Sequence, residues 1–523
     1  MRISQQDIQA IEPLTPLQKG MLFHSVSHGE SGAYVEQLTA TLSAELDDAA
    51  FRTAWDRALR DVEMLRSAFL PEQRPEPLRV VLKQAALPLE HLDWSDQDAE
   101  AQQQRLTALM TAEKDAGFDL TRPPLMRLKL VRMGAGDTRL IWTFHHLLLD
   151  GWSIPLLMQR VLSAYEAATR GTALTPPPLP GFAAYRKWMT TRPSAESYWR
   201  ETLRGHAHGA PLAFGVSGLP RSRIETREYR ETADHLPADL NDALARQAEH
   251  LGVTFASLVE LAALMALRAF TGQSDLILGT TVSGRPHGVA GMDEMIGMFI
   301  NTLPLRADLP PDRPLRDAAQ TVLSRLAALQ ERAETPLHDI RQWARLPADE
   351  SLFETIFVFE NYPVAAGLSD SESALGIRDV HVEERTGYPL TIVAARTGGL
   401  SLKLIADTGY FSAPLQVEFA TVLRSVCSAL AVASPDQPLS ALLPPRGTAL
   451  PAEQGAASPN HDTSLISQVF MPHDGVALMT GSGDLDYTTL HGRVEALSRC
   501  LVGMGVCVGG YVGVLTSGGF GFV

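Results

Sequence analysis

The sequence predicts a mixed α/β (α+β) protein with two large regions and a smaller third one. Its 523 residues exceed what one ordinary hydrophobic core accommodates. Helical and strand-like periodicities alternate along the chain, and two proline-rich segments interrupt them. Apolar residues make up 45% and charged residues 20%, which is the usage of a globular protein. The predicted parts are a first lobe at 1–175, a second lobe at 176–445, a linker at 446–462 and a third unit at 463–523.

The first lobe carries both kinds of periodicity. Phe51, Trp55 and Leu59 recur at helical spacing and predict a helix, and the apolar run Arg139–Phe144 predicts a strand. The segment 171–181 contains four prolines, which remove backbone donors and fix φ. Neither a helix nor a central strand is therefore expected there, and the segment marks the boundary.

The second lobe repeats the mixed pattern. We expect a helix near 253–270 and strands at Asp275–Gly279 and Leu352–Phe359. A stretch rich in Pro, Gly, Ala and Ser, at about 444–462, is typical of a linker. The last sixty or so residues then form the third unit.

Composition argues against several classes of protein. The formal net charge is −15, and no run of Lys and Arg is interleaved with aromatics, so nucleic acid is not an expected partner. The three cysteines, Cys427, Cys500 and Cys507, include no CxxC pair. Neither a disulfide framework nor a structural zinc site is expected from them.

The apolar segments do not indicate a membrane protein. The N-terminus lacks the basic-then-apolar layout of a signal peptide. The most apolar stretch, 258–270, is interrupted by Glu260 and Arg268. We therefore expect a cytoplasmic protein without a membrane span.

The segment His145-His146-Leu-Leu-Leu-Asp150-Gly151 lies between the predicted strand and a helical pattern. A tight turn between strand and helix holds a reactive side chain rigidly at an opening. Successive side chains of a strand point to opposite faces, so one histidine should pack or orient while the other faces a cavity. An imidazole can accept or relay a proton near neutral pH. Gly151 permits close approach of a substrate, and a buried Asp150 paired with an arginine would fix the loop.

Two other interpretations of this segment stay open at the level of spacing. His and Asp four residues apart could both bind a metal ion, although the sequence offers no third cluster of ligands. A pair of histidines could also simply pack in a core. The other segments of the chain favour catalysis, because they resemble a known family.

The histidine segment resembles the HHxxxDG signature of the condensation domains of nonribosomal peptide synthetases and of their chloramphenicol acetyltransferase-like relatives. Further segments resemble the remaining motifs of that family in the expected order: Leu14–His24, Met64–Phe69, Tyr185–Trp188, Ser283–Pro286, Ile296–Arg306 and Arg385–Leu390. The resemblance spans about residues 10–445. Several motifs in order are far more specific than any one of them.

The resemblance implies two chloramphenicol acetyltransferase-like lobes in a V-shaped pseudo-dimer, with His146 midway along a central tunnel. Carrier proteins would dock at opposite mouths. Each would deliver its substrate on a phosphopantetheine arm, the donor as an acyl thioester and the acceptor as an aminoacyl thioester. No covalently bound cofactor and no metal are expected. Whether His146 acts as a general base or orients the amine stays open; both uses need a neutral imidazole.

The resemblance also assigns the site residues. The catalytic candidates are His145, His146, Asp150 and Gly151; the structural or orienting candidates are Arg66, Asn301, Arg285 and Arg385; the tunnel candidates are Gln18, Trp152, Ser153 and Tyr388. Arg66 is the predicted partner of Asp150. The chain has Asp61-Val62 where the family usually carries Arg-His, so Arg60 or Arg385 is the alternative partner.

Four segments resemble condensation domains that take a D-configured donor: Gly20–Ser25, Leu147–Ser153, His338–Ala344 and Val358–Pro363. The resemblance implies a donor carrier supplied in trans, after an epimerisation domain, and a downstream acceptor carrier. It also implies an adenylation domain as partner, and favours a monomer. The segments 476–490 and 493–506 resemble the start of an adenylation domain, and the sequence ends before a nucleotide-binding loop, so ATP-dependent activation is not expected of it.

Two rival functions share these residues. An epimerisation domain uses the same histidine motif, but the fifth motif and the adjoining adenylation-like segment argue against it. A non-catalytic docking or gating module would bind carriers without forming a product, and the intact His146 and Gly151 argue against that. A heterocyclisation domain is excluded, because it has aspartates in place of the histidines.

Overall fold

The computed structural model divides the chain into two compact units, residues 1–449 and 450–523. It describes the following residues: 4–27, 34–42, 46–71, 77–134, 137–173, 177–205, 228–286, 288–346, 351–360, 375–383, 387–396, 399–444, 476–480 and 483–486. The predicted linker at 446–462, Cys500, Cys507 and Arg385 lie outside these ranges. Cys427 is a buried free thiol.

The helices of the described ranges all belong to the first unit. They are α1 Pro16–Ser27, α2 Asp48–Asp61, α3 Ala99–Asp115, α4 Ser153–Thr169, α5 Ala183–Thr190, α6 Glu196–Thr202, α7 Ala238–Leu251, α8 Phe255–Thr271, α9 Leu315–Gln330, α10 Leu337–Trp343 and α11 Ala413–Val432. The helices predicted around Trp55, after the histidine motif and near 253–270 are thereby confirmed as α2, α4 and α8. Asp47 begins α2 by accepting a hydrogen bond from the Ala50 amide at 2.9 Å.

The strands alternate with the helices, as the periodicity predicted. They are β1 Ile8–Pro13, β2 Val35–Leu42, β3 Ser67–Leu70, β4 Leu78–Leu82, β5 Leu89–Asp93, β6 Met126–Gly134, β7 Asp137–His145, β8 Tyr229–His235, β9 Asp275–Val282, β10 Asn301–Asp308, β11 Thr355–Glu360, β12 Ile377–Glu383, β13 Leu390–Arg396, β14 Leu400–Asp407, β15 Val476–Thr480 and β16 Gly483–Asp486. The strand predicted at Leu352–Phe359 begins at Thr355 instead. Phe353 packs its ring so closely against Gly279 that an added Cβ would overlap the ring.

The described strands of the first unit form three sheets. A five-stranded sheet has the order β12-β2-β7-β6-β5, a six-stranded sheet has the order β10-β9-β11-β13-β14-β8, and a small sheet has the order β1-β4-β3. Strand β11 runs parallel to both β9 and β13, and β5 runs parallel to β6. In the second unit, β15 and β16 pair as an antiparallel hairpin.

Each large sheet packs against helices and forms its own core. In the first core, Trp55 of α2 meets Trp142 of β7 edge to face, with ring centroids 5.2 Å apart. In the second core, α8 buries an unbroken run of side chains from 257 to 267 against its sheet and the neighbouring helices. Burial of this much apolar surface is what holds each helix on its sheet.

The first core takes in segments from the second lobe of the sequence, which corrects the predicted boundary at residue 175. Strand β12 comes from the second lobe of the sequence, yet it pairs with β2 at the edge of the first sheet. The apolar residues of 292–299 also belong to the first core. Residues 176–445 therefore do not form a lobe by themselves, since two of their segments complete the other one.

One described helix, α11, is long and apolar enough to cross a membrane by composition alone. Helices α7 and α8 would reach that length only as a single span bent by 103°. Phe419, Leu423 and Leu430 of α11 are buried in the second core. Packing in the second core thus accounts for part of the apolar character of α11.

Candidate active site

The histidine motif forms the turn between β7 and α4, and its two histidines have different surroundings. His145 is 3% exposed, and its Nδ1 accepts a hydrogen bond from the Leu147 amide at 3.1 Å. Burial, with a smaller effect of the neighbouring His146, lowers the pKa of His145 to about 3. His145 is therefore a neutral, packed residue, whereas His146 lines a cavity. The predicted division between the two histidines is confirmed.

The cavity beside His146 has a volume of about 1100 Å³ and is bounded by both cores of the first unit. The first core contributes His146, Gly151 and Trp152, and the second contributes residues of β9, β11 and the helices α9 and α10. Small-molecule pockets typically have volumes of about 300–1,000 Å³. This cavity is large enough for an extended ligand that reaches His146.

The imidazole of His146 is held through Nδ1. This atom lies 2.9 Å from the Leu149 carbonyl oxygen and 3.2 Å from Glu36 Oε1. Both oxygens are acceptors, so the neutral ring carries its proton on Nδ1 and keeps the lone pair on Nε2. The arrangement leaves Nε2 as the basic nitrogen of the ring.

Glu36 is a site residue that the sequence analysis missed. It lies on β2 and is 3% exposed. The pairing of β2 with β7 sets Val35 opposite His145, and the His146 amide donates to the Tyr34 carbonyl at 2.8 Å. The feature that could have indicated Glu36 is an acidic residue within β2, a strand that is buried along nearly its whole length.

Asp150 locks the motif loop rather than facing the cavity. It is fully buried, and its two carboxylate oxygens lie 3.1 and 3.3 Å from Nη2 of Arg285. The carboxylate also accepts from the Phe299 amide at 3.0 Å, and from the Ser153 amide at 2.9 Å. The predicted pairing of Asp150 with an arginine is therefore confirmed, and the loop is fastened to the segment that follows β9.

The partner of Asp150 is Arg285, and the prediction of Arg66 was wrong. The short turn of helix before β3 directs Arg66 back to the end of α2, where it donates to the carbonyls of Leu59 at 2.7 Å and Arg60 at 3.0 Å. Arg60, the other described candidate, is exposed. Arg66 is a structural residue that closes α2.

Arg285 was predicted as an orienting residue, and the turn that carries it is tightly specified. Its Nη1 donates to the carbonyls of Met292 at 2.8 Å and Met295 at 2.9 Å. Gly284 has φ +62° and lies so close to the Phe299 carbonyl that no Cβ fits. The guanidinium is thus held in place before it reaches Asp150.

Two of the predicted tunnel residues do not line the cavity. Gln18 is buried and ties α1 to the motif loop, donating from Nε2 to the Leu147 carbonyl at 2.9 Å. The buried Ser153 hydroxyl lies 2.7 Å from Asp150 Oδ1 and accepts from the Gly297 amide at 2.9 Å. Hydrogen bonds to the motif loop account for the positions of both side chains. Each therefore stabilises the loop without lining the cavity.

The other described candidates do line the cavity. Trp152 and Tyr388 border it from the two cores, and their contact with a substrate stays a prediction. Asn301 also borders it while its Nδ2 donates to the carbonyls of Ala333 at 2.8 Å and Thr335 at 2.7 Å. Asn301 therefore braces the turn that precedes α10.

The metal interpretation of the motif finds no support in its geometry. His145 uses Nδ1 to accept from a backbone amide, and Asp150 is engaged by Arg285. In the ranges that the structure describes, no group of three or more His, Cys, Asp or Glu side chains is placed to hold a metal ion. The interpretation as a packed core histidine applies to His145, but not to His146.

Comparison with known proteins identifies a family. The family model described as Condensation domain matches residues 8–449. Two components of the linear gramicidin synthase of Brevibacillus parabrevis are similar to this chain, at 34% identity over 509 residues and 33% identity over 524 residues. The matches cover 95% and 98% of this chain but only 10% and 7% of those proteins. The chain thus spans a tenth or less of the length of these curated relatives.

Solved structures share the fold. The first condensation domain of the calcium-dependent antibiotic synthetase, in complex with a substrate analogue, superposes with a TM-score of 0.67 at 19% identity, over 83% of this chain and 99% of that one. A four-domain nonribosomal peptide synthetase bound to AMP and glycine superposes with a TM-score of 0.71 at 17% identity, over 97% of this chain and 40% of that one. These likenesses confirm the predicted fold class.

Proposed function

The chain belongs to the condensation domain family of nonribosomal peptide synthetases, the acyltransferases that form amide bonds, and we propose that it joins a carrier-bound acyl or peptidyl donor to a carrier-bound aminoacyl acceptor. The observation that carries this proposal is the position of His146, which lines a cavity of about 1100 Å³ with Nδ1 already engaged. A nitrogen lone pair on Nε2 is what an attacking amine requires of the site.

The reaction needs few groups from the protein. The amine nitrogen attacks the donor thioester carbonyl, the C–N bond forms, the C–S bond breaks, and the amine proton ends on the departing thiol. Holding the two substrates together supplies much of the rate enhancement, since proximity alone can lower a barrier by about 7–11 kcal/mol. The buried Asp150–Arg285 pair keeps the motif loop rigid, so that His146 stays where the amine arrives.

The substrates arrive on carrier proteins through phosphopantetheine arms, by similarity to the family. The cavity volume and its lining from both cores support access by two such arms. We infer that the donor is D-configured, because Leu147–Ser153 and the other three segments resemble that subtype. Residues 361–363 of the fourth segment lie outside the described ranges.

Residues beyond the linker are proposed to begin an adenylation domain. The longer of the two linear gramicidin synthase matches covers 98% of this chain, whereas the condensation model matches only residues 8–449. The hairpin of β15 and β16 falls in the segment that resembles the first strands of that domain. A cytoplasmic location and a monomeric state remain part of the proposal.

The test is a reconstituted condensation with synthetically loaded donor and acceptor carriers. The acceptor arm is read by intact-protein mass spectrometry for wild type and His146→Ala. We expect a mass gain equal to the donor acyl group in wild type, and at least a roughly 100-fold slower gain in the variant, because the imidazole that receives the attacking amine is lost.

Donors of D and L configuration, run in parallel, test the subtype. Faster transfer of the D donor supports the proposal, and faster transfer of the L donor overturns it. Carrier binding without transfer of any donor would instead favour the non-catalytic gating module. Epimerisation of a loaded carrier without amide formation would favour the epimerisation domain.

A further inference from the structure

The carboxylate of Glu36 lies beside the imidazole of His146. It is buried on β2, and Oε1 lies 3.2 Å from Nδ1 of His146, the histidine that lines the cavity. Burying a carboxylate costs free energy unless a cation or hydrogen-bond donors compensate it. Nδ1–H of His146 is a donor within reach, and an imidazolium would be the stronger partner.

We propose that Glu36 is a positioning residue that holds His146 as a general base, with its carboxylate offsetting the charge of the imidazolium formed when Nε2 takes the proton of the attacking amine. The inference rests on the function proposed above. It assigns His146 the first of the two roles left open for it, because a buried carboxylate can stabilise the charge that a general base acquires, besides holding the ring in its Nδ1–H form.

The proton path balances without any further reactant. The amine proton moves to Nε2 as the C–N bond forms, while the Nδ1 proton stays between Glu36 and the Leu149 carbonyl. The imidazolium then returns the proton to the phosphopantetheine sulfur as the C–S bond breaks. Both steps use one imidazole, which ends neutral and ready for the next turnover.

The strand pairing explains why Glu36 stands beside this histidine. The His146 amide donates to the Tyr34 carbonyl, and Glu36 pairs with Phe144 in the antiparallel ladder. A shift of one residue would turn Glu36 to the other face of the sheet. The strand register therefore determines the positions of both His146 and Glu36.

Other charged or titratable groups surround His146, and the charge balance includes them. His145 lies behind it, and the pairing of Asp150 with Arg285 occupies that carboxylate. The remaining such side chains that border the cavity are Lys19, Tyr34, Glu260, His338, Asp339, Arg341 and Tyr388. The carboxylate of Glu36 lies at ion-pair distance from Nδ1 of His146, so its charge acts on the imidazole directly.

Glu36→Gln is the decisive variant, because it removes the charge and keeps the size. The amide oxygen can still accept from Nδ1–H, and the Leu149 carbonyl continues to hold the ring. In single turnover with loaded carriers, we expect a rate about 10- to 100-fold below wild type at neutral pH. We also expect the acid limb of the pH–rate profile to move to lower pH, since the imidazolium loses its carboxylate. Glu36→Asp keeps the charge and should retain the wild-type limb.

Glu12→Gln is the matched control, because Glu12 is a similarly buried acid that pairs with Arg79 and Arg186. It is expected to keep the wild-type rate and limb. A Glu36→Gln variant with wild-type rate and limb overturns the inference and leaves the proposed function standing. Loss of rate with an unmoved limb also overturns it, because that result indicates a purely structural role.

A second measurement does not depend on condensation activity. Nitrogen-15 spectra of histidine-labelled protein, with the His146 signal assigned from His146→Ala, report its tautomer and its titration. We expect a proton on Nδ1 in wild type, and a titration at lower pH in Glu36→Gln. An unchanged titration overturns the inference. Failure of wild type to form product, with the expected titration, would count against the proposed function instead.

Discussion

Among the described residues, one buried acid borders the cavity on each side, and the two acids have different neighbours. On the side of the first core, Glu36 lies beside the imidazole of His146. On the side of the second core, Glu260 of α8 accepts a hydrogen bond from the Thr280 hydroxyl of β9. Both are nearly inaccessible, at 3% and 2% exposure. Burial alone therefore does not explain what either acid does.

The neighbouring groups determine the charge state of each buried acid. Burial raises the pKa of Glu260 to about 8, and the hydrogen bond from the Thr280 hydroxyl acts in the opposite direction. Glu260 is therefore a neutral acid at physiological pH. Glu36 instead lies beside the basic imidazole of His146. Its charge can therefore offset the positive charge of the ring when a proton moves to it. Chemistry is expected on the side of His146, and the side of Glu260 is expected to contribute shape and hydrogen bonding.

Arg285 joins the two sides, and its removal should have the largest effect on stability. The change Arg285→Ala leaves Asp150 buried without its cation, which is expected to lower the free energy of unfolding by about 3–5 kcal/mol. Urea unfolding followed by tryptophan fluorescence measures this, since all seven tryptophans lie within residues 1–449.

The control for Arg285 is an exposed ion pair. Arg378 pairs with Asp137 at 2.5 Å, and both side chains are more than 40% exposed. Arg378→Ala should cost about 1 kcal/mol or less, because solvent screens the pair. Equal losses in the two variants would show that Asp150 does not depend on its buried partner.

The sequence predicted the local parts of this site. The strand β7, the turn and the helix α4 followed from periodicity, and the alternation of side chains separated His145 from His146. These features depend on neighbours within a few residues. The family resemblance then gave the enzyme family and the fold class.

The long-range partners were not predictable in the same way. Glu36 and Arg285 lie far from the motif in sequence, and each reaches it through a strand register or a glycine turn that no local pattern specifies. Arg66 was predicted because it is an arginine in a matching motif. Its side chain satisfies the carbonyls at the end of α2 instead. The boundary at 175 failed for the same reason, since strand β12 is added from the other lobe.

Glu260→Gln should sharpen the contrast between the two acids. The folded-state pKa of Glu260 lies above its unfolded value, so the folded chain binds the extra proton between about pH 4.5 and pH 8. Wild type should therefore lose stability as pH rises through this window and level off above it. The glutamine variant lacks this loss and should be more stable at pH 7 by about 3 kcal/mol.

Urea unfolding of wild type and Glu260→Gln at a series of pH values measures this window. The difference in free energy of unfolding should be small near pH 4.5 and greatest near pH 8. A difference that does not change with pH would mean that Glu260 is ionised in the folded protein. In that case the two sides of the cavity would not differ in charge.

Thr280→Val should have the smallest effect on the free energy of unfolding. It tests the contribution of the Thr280 hydroxyl alone. The valine keeps the shape of the side chain but removes the donor to Glu260. One lost hydrogen bond is expected to lower the free energy of unfolding by about 0.5–1.5 kcal/mol. Because that bond lowers the pKa of Glu260, its loss should also move the upper end of the pH window to higher pH.

The neighbouring Thr281→Val serves as the control, since alternation along β9 turns its side chain to the opposite face of the strand from that of Thr280. It should leave the pH window where wild type has it. A window that moves to lower pH in Thr280→Val would mean that the hydroxyl accepts from a protonated Glu260 rather than donating to it. The acid would then be held in its neutral form by its neighbour as well as by burial, which makes the contrast with Glu36 greater still.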